Sequence, residues 1–168
     1  MGDGELLWQP LLLSDVDDVN AIACSIHPDL PERPEVFAEK LRLFPQGCRK
    51  LVGGRRIAGY GISHPWVLRA VPPLDKFLHC LPDRPQCLFI HDVAVLPDAR
   101  GKGAAAEFVL YVKGIARSRS IPSVALVSVY DTDALWKGLG FHVVQDPELE
   151  TKLASYGPAA KYMMWQGR

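Results

Sequence analysis

Residues 88 to 105 read L-F-I-H-D-V-A-V-L-P-D-A-R-G-K-G-A-A, and this stretch constrains the fold more than any other. Leu88 to Leu96 is largely apolar and rich in β-branched residues, and Pro97 cannot continue a ladder, so the pattern predicts a buried strand that stops there. Arg100-Gly101-Lys102-Gly103 follows at once. Ala104, Ala105, Phe108, Val109, Val112 and Ala116 then recur at helical spacing. The segment is strand, glycine loop, helix. Two glycines let the backbone turn with its N–H groups facing one concavity. The helix adds the positive end of its dipole, and Arg100 and Lys102 add charge. A loop of this kind cradles a pyrophosphate.

A Walker loop needs a longer glycine spacing and then Gly-Lys-Ser/Thr, which this stretch lacks. A Rossmann fingerprint needs a third glycine where position 106 is Ala. The pattern present is R-x-x-G-x-A over Arg100 to Ala105, preceded by V-A-V-L-P. The whole strand–loop–helix phrase resembles the acetyl-CoA motif of the GNAT superfamily of N-acyltransferases. That resemblance implies acetyl-CoA or coenzyme A as cofactor. It places the pyrophosphate on Arg100, Gly101, Lys102, Gly103, Ala104 and Ala105, and the pantetheine arm along Val93, Ala94 and Val95.

Composition is consistent with a globular enzyme. A chain of 168 residues with 48% hydrophobic content can bury a core within one domain, here 1–168. A formal net charge of zero argues against a nucleic-acid binder that works by neutralising phosphates. No apolar run reaches the ~18 residues of a membrane span. The start, M-G-D-G-E, has no basic segment ahead of an apolar one and carries Leu at position 6, so neither a signal peptide nor myristoylation is expected. Cys24, Cys48, Cys80 and Cys87 lack C-x-x-C spacing and read as reduced thiols of a cytoplasmic protein, without a metal site.

Along the chain, Leu6 to Leu13 predicts a first strand. Ser14 with Asp17 resembles a capping pair ahead of a helix whose stripe is Val16, Val19, Ala23 and Ile26. His27-Pro28-Asp29-Leu30-Pro31 breaks that helix, and Pro34 starts a second with Val36 or Phe37, Leu41 and Phe44 inward. Arg49–Val52 and Ile57–Ser63 flank Gly53-Gly54 as a hairpin, ended by His64-Pro65-Trp66. Residues 65–86 carry Pro65, Pro72, Pro73, Pro82 and Pro85 and predict a loop with one helical turn near Leu74 to Leu78. This loop either walls an acceptor site or is a stiff surface excursion. Beyond the central helix, Val124–Val129 predicts a strand, Thr132–Leu139 a short helix, Phe141–Val144 a strand, and Pro158–Trp165 a last strand reached through a loop containing Ser155-Tyr156-Gly157. The order β-α-α-β-β-β-α-β-α-β-β is similar to that of GNAT domains. The expected fold is therefore α/β (α+β), one GNAT-type domain with a mixed central sheet of about seven strands and about four helices.

Two further phrases support the resemblance. Leu135-Trp136-Lys137-Gly138-Leu139-Gly140-Phe141 resembles the late L-Y-x-x-x-G-F phrase, whose tyrosine lies near the coenzyme sulfur and protonates the thiolate in many members. Here that position is Trp136, and an indole N–H donates a hydrogen bond without releasing a proton. Tyr130 and Tyr156 stand as substitutes, with packing as the alternative role of each. Asp131 lies where many members carry an Asn that contacts pantetheine; capping the next helix is an equal reading for Asp131 or Thr132.

His91, nine residues before Arg100, occupies the position of a catalytic His in serotonin (arylalkylamine) N-acetyltransferases, and with Phe89 two residues earlier the segment resembles a one-histidine version of that branch. Strand alternation puts His91 and Asp92 on opposite faces. An alkylamine is mostly protonated at neutral pH, and an imidazole is suited to take its proton. The expected reaction is direct acetyl transfer from acetyl-CoA to a primary amine of a small molecule, with His91 as base and a backbone N–H near Val93 or Ala94 receiving the oxyanion. Trp66, Phe77, Tyr156 and Trp165 offer an aromatic wall for the acceptor, and Asp29, Glu32 and Glu35 offer negative charge. A peptide N-acetyltransferase and a coenzyme-binding sensor are the alternatives. No nucleic acid or membrane partner is expected, and the protein is read as a monomer or homodimer.

Overall fold

The computed structural model describes residues 4–167; Met1–Asp3, which bear on targeting and lipidation, and Arg168 lie outside the described residues. The elements are β1 (Leu6–Pro10), α1 (Val16–Ile26), α2 (Pro34–Leu43), β2 (Cys48–Gly53), β3 (Arg56–Trp66), β4 (Cys87–Val95), α3 (Ala104–Ser118), β5 (Ser123–Ser128), α4 (Asp133–Gly138), β6 (His142–Val143), α5 (Pro147–Leu153) and β7 (Lys161–Gln166). The strands form one mixed sheet in the order β1-β2-β3-β4-β5-β7-β6. Only β4 and β5 run parallel; the other neighbours are antiparallel. The expected α/β architecture with a single mixed sheet is present.

Several boundaries differ from expectation for local reasons. β1 stops at Pro10, because the chain turns there and Leu12 N–H is taken by the Asp15 carboxylate at 2.8 Å. Asp15, not Ser14 with Asp17, thus organises the entry to α1, and Lys50 Nζ joins it at 2.8 Å. β3 runs on through His64, Pro65 and Trp66, because β4 continues opposite them. No helix forms near Leu74 to Leu78, only a turn at Leu74–Asp75. A fifth helix, α5, occupies part of the expected loop before β7. It starts at Pro147 and is capped by the Asp146 carboxylate, which accepts the Glu148 N–H at 3.0 Å. The Asp-Pro-Glu phrase is a start signal that apolar periodicity alone does not show.

The sheet is covered on both faces. Leu88, Ile90, Val124 and Leu126 meet Phe108, Val109, Val112, Ile115 and Ala116 of α3. On the other face Tyr60, Ile62 and Ala94 meet Val19, Phe37 and Leu41 of α1 and α2. Phe89, Ala125 and Tyr162 meet Leu149 and Leu153 of α5. Each fully buried aliphatic or aromatic side chain contributes roughly 1.5–3 kcal/mol, so α3, with most of its inward stripe buried, anchors the centre.

One contact sets how closely α3 lies on the sheet. A Cβ at Gly61 would come within 2.4 Å of the Phe108 ring, so the helix packs on bare backbone there. Phe108→Ala is expected to cost roughly 3–5 kcal/mol and Gly61→Ala roughly 1–3 kcal/mol. Gly61→Ala should cost less in the Phe108→Ala background, since the ring it meets is gone. Urea-unfolding midpoints of the two single variants and the double variant, at unchanged slope, check this coupling.

Candidate active site

The site begins where β4 and β5 part. Their parallel pairing covers Leu88–Val124, Phe89–Ala125 and Ile90–Leu126, and no pairing between them follows among the described residues. At the same level β4 carries an extra residue. Ile62 of β3 stands opposite Asp92 and Ser63 stands opposite Ile90, so His91 has no partner of its own. A bulge of this kind breaks the two-residue alternation. His91 and Asp92 therefore share the α1–α2 face, contrary to the opposite faces that alternation predicts: His91 bonds Glu32 and Asp92 bonds His27, both from the loop between α1 and α2.

A cavity of about 560 Å³ occupies the split. Nine of the site residues named from sequence line it: His91, Val93, Ala94, Val95, Arg100, Ala105, Tyr130, Trp136 and Tyr156. Gly101, Lys102, Gly103 and Ala104 form the adjacent turn rather than the cavity wall. Gly101 (φ +78°) and Gly103 (φ +80°) are left-handed, with open space where a side chain would stand. Gly103 precedes α3 and its carbonyl accepts the Glu107 N–H at 3.0 Å, so the first N–H groups of the helix have no acceptor within it. Arg100 Nε donates to the Val95 carbonyl at 2.9 Å, tying the basic turn to the end of β4. The Ala104 methyl is buried against Leu51, Ala58, Val95 and Ala99, so only its backbone faces the turn. Asp131 is exposed, has φ +56° and lies off the cavity; Thr132 precedes α4.

Two imidazole–carboxylate pairs stand on the α1–α2 side of this cavity. His91 Nε2 donates to Glu32 Oε1 at 2.7 Å, with side-chain exposures of 1% and 5%. The other Glu32 oxygen accepts the Asp75 N–H at 3.0 Å. Burial disfavours the Glu32 charge, but the charge and hydrogen bond of His91, the Asp75 N–H and Lys40 outweigh it and hold the carboxyl below its ordinary value. In the second pair, His27 Nε2 donates to Asp92 Oδ1 at 3.0 Å, and Tyr60 Oη donates to the other Asp92 oxygen. Burial opposes the charged imidazole of His27. The hydrogen bond and charge of Asp92, with Glu32 beyond, overcome this and raise its pKa, against a small opposing effect of Arg100. The ring of His27 lies parallel to that of Tyr130, with centroids 5.9 Å apart.

The candidate acids have other commitments. Trp136 Nε1 donates to Thr132 Oγ1 at 3.2 Å, and its ring packs edge-on against Phe141. Tyr156 Oη donates to the Pro72 carbonyl, and burial with the charges of Glu32 and Asp92 pushes its phenol upward. Tyr130 is 45% exposed, and burial and Asp29 raise its phenol as well. The aromatic wall does not assemble. Tyr156 lines the cavity, but Trp66 packs in the α5 cluster, Phe77 lies under Arg33 and Trp165 under Lys113 and Arg117. Of the three acidic residues, Glu32 lines the cavity while Asp29 and Glu35 are exposed.

The proline-rich strap between β3 and β4 is bonded to the segment from Glu32 to Glu39. Asp75 pairs with Arg33, the Glu39 carboxylate accepts Leu78 N–H at 2.6 Å and His79 N–H at 2.9 Å, and Leu74 reaches the cavity. Sequence reasoning did not name His27 as a site residue; its local signal is the helix break at His27-Pro28-Asp29-Leu30-Pro31, just ahead of Glu32. Among the described residues no cluster of three or more His, Cys, Asp or Glu side chains is placed to hold a metal ion, and no helix is long and apolar enough to cross a membrane.

Comparison with known proteins agrees with this geometry. The profile of the Acetyltransferase (GNAT) family matches residues 21–141. A search of curated proteins by sequence finds no significant match. Among solved structures, the chain is similar to one described as the NatC complex bound to Gag peptide and CoA, at 16% identity and TM-score 0.74, covering 98% of this chain and 99% of that one. It is also similar to Arabidopsis thaliana Naa50 in complex with the bisubstrate analogue CoA-Ac-MVNAL, at 10% identity, TM-score 0.72 and 95% and 96% coverage. A third is the PaiA N-acetyltransferase of Thermoplasma acidophilum in complex with coenzyme A, at 9% identity, TM-score 0.67 and 97% and 99% coverage. At these identities the likeness is one of fold.

The His27–Asp92 pair makes stability depend on pH. Its folded pKa is raised above the ordinary value near 6.5, so its contribution is complete below that pH and is lost as pH rises through the folded value. The stability deficit of His27→Gln relative to wild type should be larger at pH ~6 than at pH ~8.5. Urea unfolding at the two pH values checks the sign.

Proposed function

The chain belongs to the Acetyltransferase (GNAT) family, and on that premise we propose that it moves the acetyl group of acetyl-CoA to a primary amine of a small molecule by direct attack in a ternary complex. The observation that carries this reading is a single cavity joining an anion cradle at one end to a buried Glu32–His91 pair at the other.

The cradle fits a coenzyme A pyrophosphate. Unpaired N–H groups open α3, Arg100 adds charge, and the glycines leave room for close approach. The strand edge at Val93–Val95, freed by the divergence of β4 from β5, fits the amides of a pantetheine arm. When bound, acetyl-CoA supplies an acetyl thioester. The chain's own groups do the rest. The ionised Glu32 attracts an ammonium, and the Glu32–His91 pair takes its proton, so that a free amine attacks. The backbone N–H groups at the bulge, near Val93, receive the developing oxyanion. Trp136 contributes shape beside the cavity, with its N–H held by Thr132.

The acceptor end favours an apolar body with one ammonium. Ile26, Leu30, Leu74 and Tyr156 line it. An arylalkylamine, the substrate class of the branch that His91 resembles, suits this shape. Leu74 of the strap adds to this apolar lining, which favours a compact acceptor over a chain of several residues. Because the NatC structure is described with a Gag peptide, peptides belong in the test panel. The buried thiols of Cys48 and Cys87 are both pushed up to about 12 by burial, which disfavours the thiolate a nucleophile would need and supports direct transfer to the amine.

Thiol release from acetyl-CoA across arylalkylamines, diamines and short peptides tests the assignment. Turnover is expected with hydrophobic monoamines; activity confined to peptides would reverse the acceptor class. Gly103→Asp should abolish calorimetric coenzyme A binding, since it places a carboxylate against the pyrophosphate at a left-handed position. His91→Ala should lower kcat by ~10²–10⁴-fold with coenzyme affinity kept, and higher pH should partly restore the rate by supplying free amine. An unchanged pH–rate profile would assign the proton to another group.

A further inference from the structure

Acetyl transfer requires two proton movements, one off the attacking amine and one onto the departing sulfur. The Glu32–His91 pair serves the first. We infer that His27 serves the second: it is the proton donor to the leaving thiolate, an inference that rests on the acetyl-transfer reading above.

Position carries the argument. β4 and β5 have separated by the level of His91. Just beyond, His27 bonds Asp92 on β4 and lies parallel to Tyr130, two residues past the end of β5. The imidazole thus spans the split at the residue that follows the bulge, where the strand edge places the thioester. Its Nε2 is held by Asp92, while Nδ1 meets no hydrogen-bond partner among the described residues. The other candidates are engaged or mismatched. The Trp136 indole does not release a proton and its N–H is on Thr132. The Tyr156 proton is on Pro72. Tyr130 is half open to solvent and its phenol is raised.

The surroundings favour an imidazolium. Asp92 from β4 and Glu32 from the α1–α2 loop face it with negative charge. Arg100 opposes from the cradle, and Tyr60 from β3 and Tyr130 are neutral. Of the two imidazoles in the cavity, His27 is the one whose neighbours favour its charged form, which suits it to the acid role. Asp92, fixed by Tyr60, is a positioning residue. In the step itself, the oxyanion pair re-forms the carbonyl, the carbon–sulfur bond breaks, its electron pair leaves on sulfur and the Nδ1 proton moves to sulfur. The surplus proton on the new amide nitrogen then restores Nδ1, directly or through water. The proton taken first by Glu32–His91 leaves to solvent.

The test uses wild type, His27→Gln and, as a second variant, Asp92→Asn. Thiolate absorbance of bound coenzyme A, with desulfo-coenzyme A as blank, reads the neighbourhood of the sulfur without turnover. A nearby imidazolium should favour the thiolate, so the thiolate-to-thiol ratio at pH 7 should fall about tenfold in His27→Gln. With any acceptor of the panel, kcat should fall by about 10²-fold, the low end for lost acid–base catalysis because a thiolate departs unaided at modest cost. KM for acetyl-CoA should hold. The alkaline limb of the wild-type pH–rate profile should vanish in His27→Gln and move to lower pH in Asp92→Asn. Trp136→Tyr should rescue His27→Gln by supplying a phenol beside the sulfur. An unchanged thiol titration, or an intact alkaline limb in His27→Gln, overturns the assignment. Loss of that limb in Tyr130→Phe or Tyr156→Phe transfers the role to that tyrosine. If wild type acetylates nothing in the panel, the acetyl-transfer reading fails, and the thiol titration still decides whether His27 stands beside the sulfur.

Discussion

His91 has no residue opposite it on β3, and the chemistry of the molecule follows from that extra residue. Without it, Asp92 would turn to the α3 face, where Val93 and Ile90 pack against an apolar helix. With it, β4 presents two consecutive polar side chains to the α1–α2 loop. The bulge also interrupts the regular ladder between β3 and β4 at His91. Beside the bulge, β4 loses its pairing with β5 and opens a split. One local irregularity therefore sets His91 and Asp92 side by side on the face of the α1–α2 loop, at the mouth of the split.

Placing these groups under cover is costly in isolation. A buried ion pair recovers its desolvation only with good geometry and further hydrogen bonds. Glu32 meets that condition by accepting from both His91 and Asp75, and Asp92 by accepting from both His27 and Tyr60. Losing one member of such a pair leaves an uncompensated charge, at roughly 3–5 kcal/mol. The strap between β3 and β4 is part of this arrangement, because its Asp75 N–H holds the Glu32 carboxylate and its Pro72 carbonyl takes the Tyr156 hydroxyl. Stiff proline-rich backbone serves this purpose, since it presents fixed donors and acceptors at little conformational entropy cost. The strap thus fixes the Glu32 carboxylate and the Tyr156 hydroxyl together.

The cavity is electrically divided. Its cradle end carries Arg100 and the N–H groups that open α3, while its acceptor end carries the carboxylates of Glu32 and Asp92. Under the proposed reading, this division suits an anionic coenzyme at one end and a cationic acceptor at the other. Lys40 and His64 lie near Glu32 and His91, and burial disfavours the charged form of each. Burial lowers the Lys40 ammonium from its ordinary value and pushes the His64 imidazole down to about 3.

Strand, loop and helix from Leu88 to Ser118 were legible in the sequence because each is set by neighbours within a few residues: apolar runs, a stopping proline, left-handed glycines and a helical stripe. Nine of the residues lining the cavity, His91, Arg100 and Trp136 among them, were named through the resemblance of their phrases to GNAT motifs. α5 was missed because its signal is a cap rather than a stripe. The pairings that make the site were beyond such rules. His27 finds Asp92 across 65 residues and His91 finds Glu32 across 59. The bulge that turns both β4 side chains the same way depends on the register of β3. Register, long-range pairing and the commitments of Tyr156 and Trp136 to other partners are decided by how packed elements meet. Local sequence determines which chemical groups are present; tertiary packing decided which of them face one another.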